Sequence, residues 1–275
     1  MNRKQLADQI LERIKKDEIY LQKMYKDSEN QIGYFYIDNL LPEDIAEKIY
    51  SSFPSPKLMK LRKSLREFKY TSAQMDKFDP ILEESIYAFQ DSRIVNKIKH
   101  ICNIDSLYPD EYLYAGGISL MSKGQYLNPH LDNSHDINRK RWRVLNLLYY
   151  TSPEWKHDYG GNLEIWPNGV KSNQITINSN FNRLAVIATH GNSWHSVSPI
   201  SRNSFRTCVS NYYFSDSPLK LKDKFHITSF RGRPEEKIRD IILKVDIKMR
   251  QALRKLFPKG IVKTEHVYKK NNLTK

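Results

Sequence analysis

Cysteine is scarce in this sequence, since Cys102 and Cys208 are the only two among 275 residues. They form no CxxC pair, which excludes a disulfide framework and a zinc ribbon. Long apolar runs are also missing, because none approaches the roughly 20 residues that a membrane-spanning helix needs. The first residues, MNRKQLAD, lack the apolar segment of a signal peptide. These absences predict a soluble, cytoplasmic protein without a membrane partner.

Positive charge is abundant but unevenly placed, and the net charge is +14. Residues 217–275 contain 17 Lys+Arg and 6 Asp+Glu, whereas residues 29–216 contain 21 and 20. The central region is therefore nearly neutral, and we expect an anionic partner to meet the C-terminal segment before the active site. A solvated helix face in a lysine-rich composition explains the same excess, and the sequence leaves both explanations open.

Helical periodicity marks both ends of the chain. Residues 4–26 alternate charged and apolar positions, which predicts an amphipathic helix on the main body. Residues 42–50 and 80–101 are also predicted to be helical, and residues 54–70 to be basic and irregular. A last helix begins near Pro234 and carries an apolar stripe that we expect to be core or a homodimer contact. The stripe consists of Ile238, Ile241, Ile242, Val245, Met249, Leu253 and Leu256.

Between residues 108 and 216 the pattern changes to short extended runs broken by Gly, Asn and Ser. Eight such runs without intervening helices predict a double-sheet jelly roll. The candidate strands are 112–121, 126–132, 142–151, 162–166, 174–177, 183–189, 194–198 and 205–214. The predicted fold class is α+β, with a double-stranded β-helix (cupin-like) core. The predicted domains are an N-terminal helix (1–28), a main domain (29–216) and a basic helical C-terminal extension (217–275).

A histidine and a carboxylate alternate in the segment Asn128-Pro129-His130-Leu131-Asp132. If this segment is a strand, His130 and Asp132 lie on one face and can bind one metal ion together. His195 follows 65 residues later, in another predicted strand. Two histidines and one carboxylate form the facial triad of non-haem Fe(II) oxygenases, which leaves coordination positions open. A lone HxD pair is weak evidence, however, in a chain with 8 His and 31 acidic residues.

The order of the surrounding segments strengthens that hypothesis. The stretch from 112 to 216 resembles the catalytic barrel of Fe(II)/2-oxoglutarate-dependent dioxygenases, specifically the prolyl 4-hydroxylase-like branch. The entry strand and helix, residues 37–43, also resemble the segment that often precedes this barrel. The matching barrel segments are Gly124-Gln125-Tyr126 with 128–132, 145–150, 159–166, 194–197 and 206–214.

The resemblance implies a cofactor, two co-substrates and the residues that bind them. Fe(II) would be held by His130, Asp132 and His195, with 2-oxoglutarate and O2 as co-substrates. Arg206 matches the basic residue that pairs with the distal carboxylate of 2-oxoglutarate, and a planar guanidinium suits that bidentate contact. Tyr150 matches an aromatic hydroxyl near the same carboxylate, although core packing explains it almost as well.

The implied reaction is hydroxylation of an unactivated C–H bond, but several substrates remain open. A peptidyl side chain such as proline follows from the branch that the barrel resembles and ranks first, and a small metabolite of a biosynthetic pathway follows closely as the second candidate. A nucleic-acid substrate ranks third, because the basic segment lacks interleaved aromatic residues. A different class also fits: a non-catalytic jelly-roll scaffold that binds an anionic partner through its basic tail.

Overall fold

The structure, a computed structural model, describes residues 1–257 and 267–268. Residues 258–266 and 269–275 of the predicted 217–275 extension lie outside the described residues. None of the described helices is long and apolar enough to span a membrane. The helices are α1 (Arg3–Lys16), α2 (Glu18–Ser28), α3 (Glu43–Ser51), α4 (Pro80–Ala88), α5 (Ser92–Ile101) and α6 (Lys237–Leu256).

All eight predicted barrel strands are present in the structure. Strands outside that set flank the barrel at both ends of the chain. In chain order the strands are β1 (Tyr34–Ile37), β2 (Lys60–Lys63), β3 (Glu67–Ser72), β4 (Tyr108–Pro109), β5 (Gly117–Met121), β6 (Tyr126–Leu131), β7 (Trp142–Tyr150), β8 (Leu163–Ile165), β9 (Ile175–Ile177), β10 (Arg183–Ala188), β11 (His195–Val197), β12 (Arg206–Ser215) and β13 (Ser229–Phe230).

The strands form one curled antiparallel sheet with the order β1-β10-β7-β12-β5-β3-β6-β11-β8-β9. Strand β2 pairs with β3, β4 with β12, and β13 with β6. The sheet curls around a cavity of about 840 Å³ that is lined by side chains from β5, β6, β7, β8, β11 and β12. This is the predicted double-stranded β-helix in an α+β protein.

Alternation along the central strands separates the cavity from the helical core. In β7, the odd-numbered residues 145, 147 and 149 join the large core that also contains α1, α4 and α5, while 146, 148 and 150 line the cavity. In β12, Val209 and Tyr213 join that core and the even-numbered residues 206–212 face the cavity. The period of two of a β-strand therefore decides which residues of β7 and β12 line the cavity.

The N-terminal segment packs on the outer face of the sheet as two helices, not as the single helix predicted for 4–26. Helix α1 begins with a capping box between Asn2 and Gln5 and ends at Asp17, which separates it from α2. The four apolar residues of this segment that recur at near-helical spacing are all buried. They are Leu6, Ile10, Ile14 and Leu21, with relative exposures of 0%, 1%, 0% and 0%.

The prediction of irregular structure for residues 54–70 was wrong. The segment forms the antiparallel hairpin β2–β3, with Lys60 opposite Thr71 and Lys63 opposite Phe68. Strand β3 then pairs with both β5 and β6. Its basic residues have low intrinsic strand preference, and the strand exists because the edges of β5 and β6 supply backbone partners. That tertiary cause leaves no local signal in the sequence.

The apolar stripe of α6 is not core, so that alternative of the prediction was wrong. Its members remain exposed, from 43% for Leu253 to 77% for Ile238, whereas Leu243 is 2% exposed. Helix α6 docks instead through charged side chains. Asp246 binds Arg66 of the β2–β3 turn, and Arg250 donates to the Thr228 carbonyl. The homodimer contact through this helix stays a prediction.

Candidate metal and cosubstrate site

The structure brings His130, Asp132 and His195 together inside the barrel. Residues His130 and His195 are directly opposite each other across the β6–β11 pair. Asp132 immediately follows β6, and its two carboxylate oxygens lie 3.6 Å from the Nε2 atoms of His130 and His195. One ligand atom from each of the three residues lies within 4.8 Å of the others, so the set can hold one metal ion.

Backbone carbonyls orient both imidazole rings toward that common point. The Nδ1 atom of His130 donates to the Asn128 carbonyl at 3.0 Å, and Nδ1 of His195 donates to the Ser193 carbonyl at 2.9 Å. These bonds select the tautomer in which Nε2 has a free lone pair for a metal. Each acceptor carbonyl lies two residues before its histidine, so the local chain itself positions the ligand.

The protonation states of the cluster suit a divalent cation. Burial and the nearby His130 lower the pKa of His195 to about 4, so the ring is neutral at neutral pH. Burial would raise the pKa of Asp132, but its contacts with His130, His195 and Arg143 outweigh that effect and hold the pKa well below its usual range. The site therefore presents two imidazole nitrogens and one carboxylate to a metal ion.

Arg206 begins β12 and is 3% exposed on the same cavity. Among the described residues, its guanidinium donates a hydrogen bond of 3.0 Å to Sδ of Met121, and its Nε has no partner. A buried guanidinium without a carboxylate is costly unless a ligand supplies one. The distal carboxylate of 2-oxoglutarate fits this position.

Tyr150 and Gly161 flank the Arg206 side chain. The Arg206 Cζ atom lies 5.2 Å from the centre of the Tyr150 ring, and Tyr150 is 1% exposed. Burial raises the pKa of Tyr150 well above its usual value, so its hydroxyl keeps its proton as a donor. At Gly161 a Cβ atom would lie 3.0 Å from Cδ of Arg206, and the residue has a φ of +71°. The absence of a Cβ atom at Gly161 thus leaves space for the Arg206 side chain.

The comparison with protein families identifies the domain that contains this site. Residues 116–214 match the 2OG-Fe(II) oxygenase superfamily. The chain contains a 2OG-Fe(II) oxygenase domain. It is a 2-oxoglutarate-dependent dioxygenase with Fe(II) as its cofactor and 2-oxoglutarate and O2 as co-substrates, which confirms the enzyme class and cofactor that the sequence resemblance implied. No curated protein matches the sequence.

Solved structures show that the dioxygenase shares its fold with prolyl 4-hydroxylases. A prolyl 4-hydroxylase from Pseudomonas putida is 13% identical, with a TM-score of 0.52 over 72% of this chain and 100% of that one. A prolyl hydroxylase from Trichoplax adhaerens, in complex with a peptide fragment of the hypoxia inducible factor oxygen degradation domain, is 18% identical, with a TM-score of 0.52 over 77% and 96%. A prolyl 4-hydroxylase from Phytophthora capsici is 14% identical, with a TM-score of 0.52 over 94% and 81%.

The dioxygenase has a second buried arginine at the metal site that the sequence reasoning missed. Arg143 lies in β7, is 6% exposed, and places NH1 3.7 Å from Oδ1 of Asp132. Its guanidinium stacks 4.5 Å from the Tyr212 ring centre, and its Nε has no partner among the described residues. The signal was present, because Arg143 is the only charged residue in a predicted strand of apolar and amide residues, the same argument that singled out Arg206.

The C-terminal segment closes the dioxygenase barrel beside the metal ligands. Strand β13 pairs with the end of β6 and sets Phe230 opposite His130. The Phe230 ring stacks on the His130 ring with a centroid distance of 5.3 Å and an angle of 18°. No sequence motif indicated this contact, because the two residues lie 100 positions apart and meet through backbone pairing alone.

A buried ion pair joins the same segment to the strand that carries His195. Arg233 is 7% exposed and binds Glu164 of β8 through two contacts of 3.2 and 2.8 Å. Glu164 also accepts from Ser196 at 2.6 Å, and Ser196 accepts from the Trp166 indole at 2.8 Å. Ser196 is the neighbour of His195, so this network holds the metal-ligating end of β11 in place.

Replacing Arg233 by methionine should therefore destabilise the dioxygenase by about 3–5 kcal/mol, because Glu164 would remain as an unpaired buried charge. Urea unfolding followed by circular dichroism measures this change. The double variant Glu164→Gln/Arg233→Met should recover part of the loss. Lys23→Met is the control, since Lys23 pairs with Asp27 on the exposed surface and should cost under about 1 kcal/mol. Equal losses for Arg233→Met and Lys23→Met would contradict the role of the network.

Proposed function

We propose that the dioxygenase hydroxylates an unactivated C–H bond, with His130, Asp132 and His195 holding Fe(II) and Arg206 holding the distal carboxylate of 2-oxoglutarate. The observation that carries this proposal is the convergence of three metal-donor atoms within 4.8 Å, in one cavity with a buried guanidinium whose Nε has no partner among the described residues. Tyr150 is proposed as a further contact of the same carboxylate, because it packs against Arg206.

Bound Fe(II) and 2-oxoglutarate supply the oxidising chemistry, in which O2 converts 2-oxoglutarate to succinate and CO2 and one oxygen atom enters the substrate. The chain's own residues determine where this happens. The imidazoles of His130 and His195 and the Asp132 carboxylate would hold Fe(II), and a triad of this kind leaves coordination positions open for 2-oxoglutarate and O2. Arg206 fixes the far end of the cosubstrate through a bidentate contact.

Apolar side chains around the triad keep bulk water away from the reacting centre. Leu163 of β8 and Val197 of β11 line the cavity and are 1% and 7% exposed. Phe230 covers the His130 ring from the side of β13. A dry cavity strengthens the contact between Arg206 and its carboxylate and limits side reactions of the oxidising species.

The substrate that we propose first is a small molecule. The cavity of about 840 Å³ lies within the range of roughly 300–1,000 Å³ that is usual for small-molecule sites. A peptidyl side chain is the second candidate. It is supported by the shared fold with the Trichoplax adhaerens prolyl hydroxylase, which is in complex with a peptide fragment.

The test combines a spectrum with product analysis of the full chain. Without O2, adding Fe(II) and 2-oxoglutarate should give a weak visible charge-transfer band. After O2 is admitted with mixtures of metabolites or peptides, mass spectrometry should find a product that has gained one oxygen atom together with an equivalent amount of succinate. If the folded protein gives neither the band nor succinate, the proposed hydroxylase function is rejected and the non-catalytic scaffold remains.

A further inference from the structure

Cationic side chains from three separate parts of the chain surround the mouth of the active-site cavity. The hairpin β2–β3 and its turn contribute four of them, β7 contributes one beside the metal site, and α6 contributes two. They are Lys60, Arg62, Arg66, Lys69, Arg143, Arg250 and Arg254, all of which line the same cavity as His130 and His195.

Fe(II) and 2-oxoglutarate would not neutralise this charge. The two positive charges of the metal and that of Arg206 balance the carboxylate of Asp132 and the two carboxylates of 2-oxoglutarate. Among the described residues, two other carboxylates contact the cationic side chains. Glu67 lies 3.2 Å from Lys69 and 3.7 Å from Arg62, and Asp246 binds both Arg66 and Arg250. Even when Lys60 and Arg62 are left out of the count, five described cations face these two carboxylates, so the loaded cavity keeps a positive excess.

Two of these arginines have polar atoms that no protein group satisfies. The Nε atoms of Arg143 and Arg254 are buried and have no hydrogen-bond partner among the described residues. Burial and the like charge of Arg139 lower the pKa of Arg254 from its ordinary value. Burial and the like charge of Arg66 do the same for Arg250. Cations held together in this way repel one another unless an anion lies between them.

We propose that the substrate of this site is a small molecule bearing a phosphate or diphosphate group, which Arg250, Arg254 and the cations of the β2–β3 hairpin bind at the cavity mouth. This proposal rests on the proposed hydroxylase function and names its substrate class. A guanidinium binds phosphate oxygens bidentately. A single carboxylate would leave most of the positive excess unbalanced, whereas a phosphate or diphosphate carries more charge in the same volume.

The placement of the cations favours a small molecule over an acidic peptide or a nucleic acid. They converge on one concave cavity that also contains the metal site, and do not follow a stripe along the surface as a polymer backbone would require. Anchoring the phosphate at the mouth would direct the remainder of the molecule toward His130 and His195, where its C–H bond would react.

The test measures binding without turnover. The full chain is loaded with Mn(II) and 2-oxoglutarate without O2, freed of excess metal, and titrated calorimetrically with two pairs of probes: adenosine 5′-monophosphate with adenosine, and glucose 6-phosphate with glucose. At least one phosphate should bind about tenfold more tightly than its neutral counterpart. Arg254→Gln and Arg250→Gln should each raise the Kd of that phosphate about tenfold or more, as expected for loss of a charge-assisted hydrogen bond.

Lys248→Gln is the matched control. Lys248 is exposed on α6 and outside the cavity lining, so the variant removes the same charge from the same helix without touching the site. Its Kd should match that of the wild type. The proposal is overturned if neither phosphate binds more tightly than its counterpart, if Lys248→Gln weakens binding as much as Arg254→Gln, or if hexaglutamate or a single-stranded oligonucleotide binds more tightly than both phosphates. Succinate formation is measured separately, so a hydroxylase without phosphate selectivity is recognised as such.

Discussion

Asp132→Ala should abolish the iron-dependent conversion of 2-oxoglutarate to succinate, with a loss on the order of a thousandfold or more. Asp132 is the only carboxylate among the three proposed metal ligands, and its lowered pKa keeps it ionised at neutral pH. Its removal takes away both a coordination position and the negative charge that balances the metal. Succinate release under saturating Fe(II) and 2-oxoglutarate measures the effect.

Asp105→Ala provides the control for this variant, because Asp105 is an exposed carboxylate far along the chain from the site. Anaerobic Fe(II) titration of both variants separates loss of metal from loss of fold: Asp132→Ala should lose the charge-transfer band and Asp105→Ala should keep it. Wild-type succinate release from Asp132→Ala would end the assignment of this carboxylate to the metal.

Arg206→Gln should raise the 2-oxoglutarate concentration required for half-maximal turnover by about thirtyfold or more. Removing one partner of a desolvated charge pair typically costs about 2–5 kcal/mol, and about 1.4 kcal/mol corresponds to a factor of ten. Because the side chain contacts the end of 2-oxoglutarate remote from the metal, the maximal rate should fall less than the apparent affinity. Steady-state succinate release over a range of 2-oxoglutarate concentrations separates the two parameters.

Arg202→Gln is the comparison for Arg206→Gln. Arg202 lies four residues earlier, is exposed, and stacks 4.5 Å from the centre of the Tyr159 ring at the surface. Its replacement should leave the 2-oxoglutarate requirement unchanged. If both variants shift the requirement equally, the distal carboxylate binds elsewhere and the unpartnered Nε of Arg206 needs another explanation.

The barrel could be predicted from the sequence because its determinants are local. Short extended runs broken by Gly, Asn and Ser mark the strands, and the period of two of a β-strand puts His130 and Asp132 on one face. Arg206 could be selected because a charge in an apolar strand requires a partner. The same reasoning applies to Arg143, which is the only charged residue in its predicted strand. The sequence therefore contained the signal for Arg143.

The hairpin β2–β3 and the orientation of α6 could not be predicted, because their causes are not local. The hairpin forms where β5 and β6 offer backbone partners. Helix α6 turns its charged face inward because Asp246 forms an ion pair with Arg66 of that hairpin. A periodicity argument assigns the apolar face of a helix to the core and has no means of recognising a partner that lies 180 residues away in sequence.

The distribution of charge shows the same limit. The central region of the sequence is nearly neutral, so an anionic partner was expected to meet the C-terminal segment before the active site. In the folded chain, Arg250 and Arg254 of that segment line the active-site cavity itself. Charge counted along the sequence therefore implied a separation between the C-terminal segment and the site that does not exist in the folded chain.

Strand β6, which presents His130, has one edge that is covered by segments from opposite ends of the chain. Strand β3 pairs with residues 126 and 127, and β13 pairs with residues 130 and 131. Both segments fall outside residues 116–214, which the superfamily match covers. A fragment limited to residues 116–214 would expose an unpaired edge of β6, and we expect it to aggregate. Expression boundaries for the dioxygenase should therefore enclose the β2–β3 hairpin and α6 as well as the residues that match the superfamily.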